Sequence, residues 1–373
     1  MRVHIVDPSA YTPPYDHALC AALAAAGADV ELYTSHFAYG SVAVPEGYIR
    51  HEAFYRTAAR VGSARGRRAV KLAEHIPDML RYRRAARAAD VAHFQWLPVQ
   101  HLDGHLLPEG LPLVLTAHDV LPREPRPGQL AAQRRLYGHF QAIVAHSRHG
   151  AERLIALGLD PARVHVIPHG AFSHLAAAPP PHAGEAPFET EKPVVLCFGL
   201  LRPYKGIELL LEAWEGIGEA ELWIVGMPRM GLSAISERIQ ALGSDAGVRL
   251  IPRFIPEGDL PAYFRRADLV VLPYREIDQS GVLFTALAFG KALLLSDVGG
   301  FPEVADTGAA RIFPAGDAAA LHEALRDLLA NPAKRAEMGE AARAAAAGEY
   351  SWQAVAARTL GLYEELLRED GPG

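Results

Sequence analysis

Short apolar runs alternate with longer amphipathic segments along the whole chain, and this order of elements constrains the fold more than any other feature. It is the pattern of an α/β architecture with a mainly parallel sheet. Apolar runs at residues 3–6, 30–34, 91–95, 113–117, 142–145 and 164–167 form one series of predicted strands. A second series occupies 194–198, 220–225, 248–251, 269–272, 292–296 and 310–313. A turn or helical pattern follows each run, so the reading is two doubly wound units in tandem. With 373 residues, the chain is long enough for two domains with separate cores.

Residues 173–193, SHLAAAPPPHAGEAPFETEKP, separate the two series. Three consecutive prolines and interspersed acids there exclude continuous secondary structure. The expected organisation is therefore an N-terminal domain over 1–172, a linker over 173–193 and a C-terminal domain over 194–350. Residues 351–373 follow as a C-terminal helix. Ser351 is its expected N-cap, and Trp352, Val355, Leu362, Tyr363, Leu366 and Leu367 recur at roughly helical spacing, interrupted by Gly361. This helix can pack on either domain, in one case by crossing back to the N-terminal one.

The composition, 50% hydrophobic and 21% charged, lies within the globular range and excludes disordered and fibrous classes. The two cysteines, Cys20 and Cys197, are too few and too far apart for a disulfide framework or a thiolate metal cluster, which points to a reduced, cytoplasmic setting. The opening MRVHIVDPSAYTPPYD lacks a signal-peptide core. No apolar run approaches the ~20 residues of a membrane span. Charge is uneven: residues 50–87 carry a balance of +8 within a chain of net −6, leaving −14 elsewhere. Such a stretch is either a solvated helix face or a weak peripheral contact with an anionic partner such as lipid headgroups, and it lacks a clear Trp/Phe/Leu face to accompany its charge.

Two segments carry most of the chemistry. In FGLLRPYKGIELLLEAW, residues 198–214, a strand ends at Phe198 and a turn contains Gly199 and Pro203. A helix then opens near Lys205, with Ile207, Leu210, Leu211 and Trp214 on one face. Arg202 and Lys205 thus stand where a strand ends and a helix begins, a position whose unpaired amides favour an anion. In residues 274–304 a polar loop containing Glu276, Asp278 and Gln279 leads to Ser280, the expected cap of a second helix. The amides of Gly281, Val282 and Leu283 there can hold phosphate oxygens. Two such helix starts suit a diphosphate. There is neither a Walker loop nor a G-x-G-x-x-G after the first strand, so ordinary ATPase and dehydrogenase readings lose support.

Among the histidines, His118 follows the strand at 113–117, and an imidazole there can donate or accept at neutral pH. His146 with Ser147, and His169 with Gly170, read as loop-shaping residues. His101 and His105 have i, i+4 spacing, but Gly104 is expected to break the helix between them and no further ligand is indicated, so no metal is expected.

The segments LTAHDVLPRE (115–124), AIVAHSRHGAERL (142–154), VIPHGAF (166–172), RPYKG (202–206) and SDVGGFPEV (296–304) give the chain a specific resemblance. Over nearly its whole length it resembles the GT4 family of retaining, nucleotide-sugar-dependent glycosyltransferases. The resemblance implies a GT-B fold, two doubly wound Rossmann-like domains facing across a cleft. It implies transfer of a sugar from a nucleoside diphosphate sugar to an acceptor hydroxyl, with no metal, no cofactor beyond the donor substrate and no nucleic-acid partner. The donor is expected mainly in the C-terminal domain, with His118 on its sugar, Arg202 and Lys205 on its diphosphate, and Gly199, Glu276, Asp278, Gln279, Ser280, Gly281, Val282 and Leu283 around it. The acceptor is expected in the N-terminal domain, where Tyr15, His17 and Trp96 offer aromatic and cationic surfaces.

The sequence also departs from that pattern. Ile277 and Thr285 stand where the family's usual glutamate pair belongs, Leu200 occupies an arginine position, and Pro13-Pro14 replaces the glycine pair after the first strand. Two further readings stay open: a GT-B-shaped sugar-nucleotide epimerase, and a catalytically silent nucleotide-sugar-binding partner.

Overall fold

The computed structural model describes residues 1–38, 40–122, 125, 127–177 and 188–369, with the side chain of Ala64 left aside. The end of one motif, Arg123 and Glu124, and most of the expected linker, 178–187, lie outside the described residues. The chain divides into two compact units, Met1–Gly170 with Trp352–Gly373, and Ala171–Ser351.

The first unit holds a seven-stranded sheet of β1 (Arg2–Asp7), β2 (Asp29–Ser35), β3 (Ile49–Phe54), β4 (Val91–Phe94), β5 (Leu113–Thr116), β6 (Ala142–Ala145) and β7 (Val164–Val166), in the order β3-β2-β1-β4-β5-β6-β7. All its ladders are parallel. A parallel sheet must be covered on both faces, and the alternation of side chains divides the core accordingly. Val3, Ile5, Val91, Val114, Ala142 and Val144 face one layer, and Val6, Ala92, Phe94, Leu115, Ile143 and Ala145 face the other.

Strand β3 has no counterpart among the predicted strands. It is an edge strand, mostly half-exposed, and its sequence IRHEAF has no apolar run. Side-chain contacts hold it instead: Arg50 donates to the carbonyl of Ala43 at 2.7 Å, and His51 meets Glu31 at 2.8 Å while stacking on Tyr33. The helix Gln100–Leu106 also departs from expectation, because it runs through Gly104, whose bare Cα leaves room for the ring of His139.

The C-terminal helix, Trp352–Glu369, packs on the first helix, Pro13–Ala25, within the first unit. Its Val355, Ala356, Leu362, Tyr363 and Leu366 join Leu19, Cys20 and Leu23 in the layer over Val3 and Ile5. The Tyr363 hydroxyl meets His93 Nδ1 at 2.6 Å, and Thr116 Oγ1 meets the other ring nitrogen at 2.7 Å. The helix continues through Gly361 without a break.

The second unit holds six parallel strands, β8 (Val194–Phe198), β9 (Glu221–Val225), β10 (Val248–Ile251), β11 (Leu269–Leu272), β12 (Ala292–Ser296) and β13 (Ala310–Phe313), in the order β10-β9-β8-β11-β12-β13. Fully buried Trp214, with its indole donating to the carbonyl of Ala246 at 2.8 Å, anchors one layer of that core. The start of the expected linker is not irregular: Ser173–Ala177 is a short helix, its Leu175 buried. Among the described residues no helix is long and apolar enough to cross a membrane.

Replacing Tyr363 with Ala should destabilise the first unit by about 3–5 kcal/mol, the cost of emptying a large buried aromatic site. Replacing it with Phe removes only the partner of His93 and should cost about 1–3 kcal/mol. Urea unfolding monitored on the first unit checks both, and equal costs would mean that the hydroxyl, rather than packing, carries the contact.

Candidate functional site

In a doubly wound sheet the ligand loops gather at the carboxyl ends of the two strands from which its halves wind outward. In the second unit these are β8 and β11. Gly199 leaves β8 with φ 112°, its N–H donating to Val225 at 3.0 Å. Arg202 then opens a single 3-10 turn, Pro203–Lys205, and its partly exposed guanidinium makes no hydrogen bond or ion pair with a described residue. Lys205, in contrast, is 6% exposed. Its ammonium donates to the Tyr274 hydroxyl and lies 4.0 Å from the centre of the same ring. The following helix is Ile207–Ala213, two residues later than expected, because Gly206 adopts a left-handed conformation with φ 67°.

The β11 loop is held between two glycines. A Cβ on Gly206 would lie 1.9 Å from the carbonyl oxygen of Pro273, and one on Gly299, at φ 56°, would lie 1.9 Å from that of Ile277. Only glycine allows both the positive φ and the close approach. Arg275 N–H donates to Tyr204 O at 2.7 Å and Gly300 N–H to Asp278 O at 3.3 Å, which completes the clamp. Ser296 hydroxyl donates to Tyr274 O at 2.7 Å and so fixes the tyrosine that receives Lys205.

Ser280 is the N-cap of the helix Gly281–Ala288, as expected, but its hydroxyl makes no capping bond; it lies 3.4 Å from the Tyr274 hydroxyl. Gln279 Oε1 accepts from Ser280 N–H at 3.0 Å. Of the three amides proposed for an anion, that of Leu283 donates to Ser280 O at 3.1 Å, which leaves Gly281 and Val282 as the two without an intrahelical acceptor. The site thus gathers Gly199, Lys205, Ser280 and Val282: a Cβ on Gly199 would lie 3.3 Å from the Lys205 ammonium and 3.1 Å from a Val282 methyl. Glu276 is exposed, whereas Asp278 is buried. Thr285 turns its hydroxyl back to Gly281 O at 3.0 Å, within its own helix.

In the first unit the corresponding strands are β1 and β4. Asp7 ends β1 and accepts from the amides of Ser9, Tyr11 and Thr12. Burial and the neighbouring Asp7 charge hold Asp16 well above the usual carboxylate range, and burial raises Asp7 as well. Gln95 and Trp96 follow β4. His118 stacks on Trp96 with ring centres 4.9 Å apart and meets Tyr15 edge-on at 4.7 Å. Tyr15, 4% exposed, is enclosed by His118, His146, His169 and Trp352. His17 lies apart from this cluster, meeting Tyr48 at 3.0 Å. With Asp16, Ser35, Tyr48 and Arg50 it lines a cavity of about 20 Å³. Asp16 Oδ1 and Ser35 Oγ, both buried, have no hydrogen-bond partner among the described residues.

The histidine protons follow from these contacts. His146 Nδ1–H donates to Ile167 O at 3.0 Å, so its Nε2 accepts from His118 Nδ1–H at 3.2 Å. The remaining lone pair of a neutral His118 then faces Gln95, at 3.0 Å, and calls for the amide nitrogen there, the very group otherwise buried without a partner. Burial lowers all four pKa values: His93 to about 3, His146 to about 4, His169 to about 3, and His118 well below the ordinary value with added repulsion from His146.

Sequence reading missed Tyr274, Gln95 and the Asp7–Asp16 pair. Asp7 was legible by position, at the carboxyl end of the first strand; Tyr274 was not, because its partner Lys205 is 69 residues away.

Two family models match these units, Glycosyltransferase Family 4 over residues 15–171 and Glycosyl transferases group 1 over residues 182–345. The chain belongs to the GT4-type glycosyltransferases and has their GT-B fold of two Rossmann-like domains. It is 29% identical over 312 residues to alpha-maltose-1-phosphate synthase of Mycolicibacterium smegmatis, covering 75% of this chain and 80% of that protein. Among solved structures it is similar to sucrose-phosphate synthase of Thermosynechococcus elongatus, with TM-score 0.74, 20% identity, and coverage of 99% and 100% of the two chains. It is also similar to Anabaena HepE in complex with UDP-glucose, with TM-score 0.73, 16% identity, and coverage of 98% and 100%.

The buried histidines set the pH dependence of stability. Their folded pKa values lie below the unfolded value near 6.5, so on acidification the unfolded chain takes up protons that the folded one refuses, and stability falls as pH drops from about 6.5 toward 4. The coupled pair Asp7 and Asp16, both raised, acts in the opposite sense, but two carboxyl groups do not offset the four histidines His93, His118, His146 and His169. The expected result is a lower urea midpoint for the first unit at pH 5 than at pH 7.5, by about 1.4 kcal/mol per pH unit for each net proton. An unchanged or higher midpoint at pH 5 would mean that the cluster is already charged.

Proposed function

We propose that this glycosyltransferase moves a sugar from a nucleoside diphosphate sugar to an acceptor hydroxyl with retention of configuration and without a divalent ion. The observation that carries the reading is the buried Lys205 ammonium, held by Tyr274 beside Gly199 and the first turn of the helix Gly281–Ala288. As the bond from the anomeric carbon to the diphosphate breaks, charge grows on the leaving oxygen. A preformed cation, unpaired amides and Arg202 stabilise that charge without reorganising. The acceptor oxygen attacks from the face the diphosphate leaves, and its proton passes to a phosphate oxygen, so no protein nucleophile is required. His118 holds a sugar hydroxyl by exchanging its Gln95 hydrogen bond for one to the donor. With Thr285 bonded into its own helix, Asp278 and Glu276 are the carboxylates left to meet the nucleotide sugar.

The HepE structure contains UDP-glucose, which supports a uridine donor as the first to try. The acceptor is proposed to be rich in hydroxyls, since the partnerless Asp16 and Ser35 atoms lie beside His17, Tyr48 and Arg50 in the first unit. Tyr15 and Trp96 contribute by positioning His118.

Incubation with UDP-, GDP-, ADP- and TDP-sugars tests this. Slow release of the nucleoside diphosphate supports transfer, an isomerised nucleotide sugar would establish an epimerase, and binding without turnover would establish a silent partner. Lys205→Ala and Arg202→Ala should each lower turnover about 10- to 150-fold, the equivalent of a charge-assisted hydrogen bond of about 1.5–3 kcal/mol. Unchanged turnover in both removes this site from the mechanism. Activity should survive EDTA; a loss that only Mn²⁺ or Mg²⁺ restores would overturn the metal-independent reading.

A further inference from the structure

The helix Ala64–Ala85 occupies the most basic part of the chain, and its inner side is locked in place. Met79 and Tyr82 enter the core, buried His75 bridges Tyr55 at 2.7 Å and Asp103 at 2.6 Å, and buried Asp78 accepts from the Tyr55 amide at 2.7 Å. That rotation leaves Leu72, Ile76 and Leu80, spaced every four residues and therefore on one stripe, exposed to 58%, 43% and 40%. Exposed Ala69, Ala73 and Pro77 fill the spaces between them. The stretch therefore does have an apolar face, contrary to the sequence reading, which sought Trp, Phe and Leu together.

The basic residues fall into two groups. Lys71 lies over the Tyr55 ring, Arg67 donates to Val61 O, Arg81 pairs with Asp78 and Arg83 with Glu109, so these serve the fold. Arg65, Arg68, Arg84 and Arg87 are exposed and have no ion pair or hydrogen bond with a described residue. Two precede the aliphatic stripe and two follow it, so four uncompensated cations bracket a row of aliphatic side chains. From Arg65 to Arg84 the helix extends about 28 Å at 1.5 Å per residue.

We propose that this face is a docking surface for an anionic lipid bilayer, with the helix lying in the plane of the interface. The two components match the two layers of such a surface: arginines meet headgroup phosphates while Leu72, Ile76 and Leu80 enter the acyl boundary. Nucleic acid would satisfy the arginines but leaves the aliphatic stripe without a partner, since bases are held by aromatic stacking. The wide spread of charge along the helix fits an extended anionic plane, since the only acids between Leu72 and Leu80 are buried Asp78, held by the Tyr55 amide, and half-buried Glu74, held by the amides of Thr57 and Ala58.

Sedimentation of the full chain with vesicles tests the proposal. Vesicles of phosphatidylglycerol and phosphatidylcholine should carry the protein down at low salt, while vesicles of phosphatidylcholine alone should not. Leu72→Ser, Ile76→Ser and Leu80→Ser combined should lower binding at least about tenfold. Arg65→Glu, Arg68→Glu, Arg84→Glu and Arg87→Glu combined should lower it at least about a hundredfold. Binding should weaken as salt rises. All seven positions are exposed, so both variants should retain thermal stability and donor turnover, which separates lost docking from lost folding. No binding by the wild-type chain to anionic vesicles, or equal binding by the wild type and both variants, overturns the proposal. So does a concentration-dependent dimer, seen by light scattering without lipid and abolished in the serine variant, because a second copy of the chain would then own this face.

Discussion

Parallel pairing is the constraint on which the rest of this structure depends. Neighbouring parallel strands never meet at a hairpin, so each connection must cross a face of the sheet, and each face needs a covering layer. In both units the strand order places the first and fourth strands side by side at the centre, with successive connections winding away from them in opposite directions. Their carboxyl-end loops therefore converge. That convergence brings residues 199–206 to residues 273–281 in the second unit, and Asp7–Asp16 to Gln95–Trp96 in the first.

Within the second unit, convergence becomes chemistry through close backbone approach. The loop after β11 sits against Gly206 on one side and Gly299 on the other, at distances no side chain allows. Tyr274 is thereby fixed where its hydroxyl receives Lys205. A buried ammonium is costly unless its charge is answered, and the tyrosine hydroxyl and ring contribute to that answer.

The first unit uses its C-terminal segment to finish a core that the preceding residues leave open. Tyr363 closes over β1 and β4 and meets His93, while Trp352 packs against Tyr15 at the edge of the histidine cluster. Packing and electrostatics are coupled there: the burial that makes His93, His118, His146 and His169 resist protonation comes partly from a helix more than 180 residues further along the chain. On the opposite face of the sheet, the helix Ala64–Ala85 commits its polar inner residues to the fold and keeps an aliphatic and arginine-rich outer side.

Strand positions were legible in the sequence because buried parallel strands are continuous apolar runs, and twelve of the thirteen strands among the described residues coincide with such runs to within a residue or two. Strand β3 escaped for the same reason in reverse: an edge strand needs only one covered side, and IRHEAF satisfies it with polar contacts. The positions of Arg202, Lys205 and Ser280 at strand and helix ends were likewise set by local pattern. Their partners were not. Lys205 with Tyr274, His118 with Gln95, Asp7 with Asp16, Leu283 withdrawn into Ser280, and Thr285 turned back on its helix all depend on distances that spacing along the chain does not encode. The rotation that exposes Leu72, Ile76 and Leu80 was decided by Tyr55, just past the end of β3, and by Asp103, on the helix Gln100–Leu106. Local order along the chain fixes which groups are available, because periodicity is a property of neighbours; which groups meet, and which are left facing outward, is fixed only when remote segments pack.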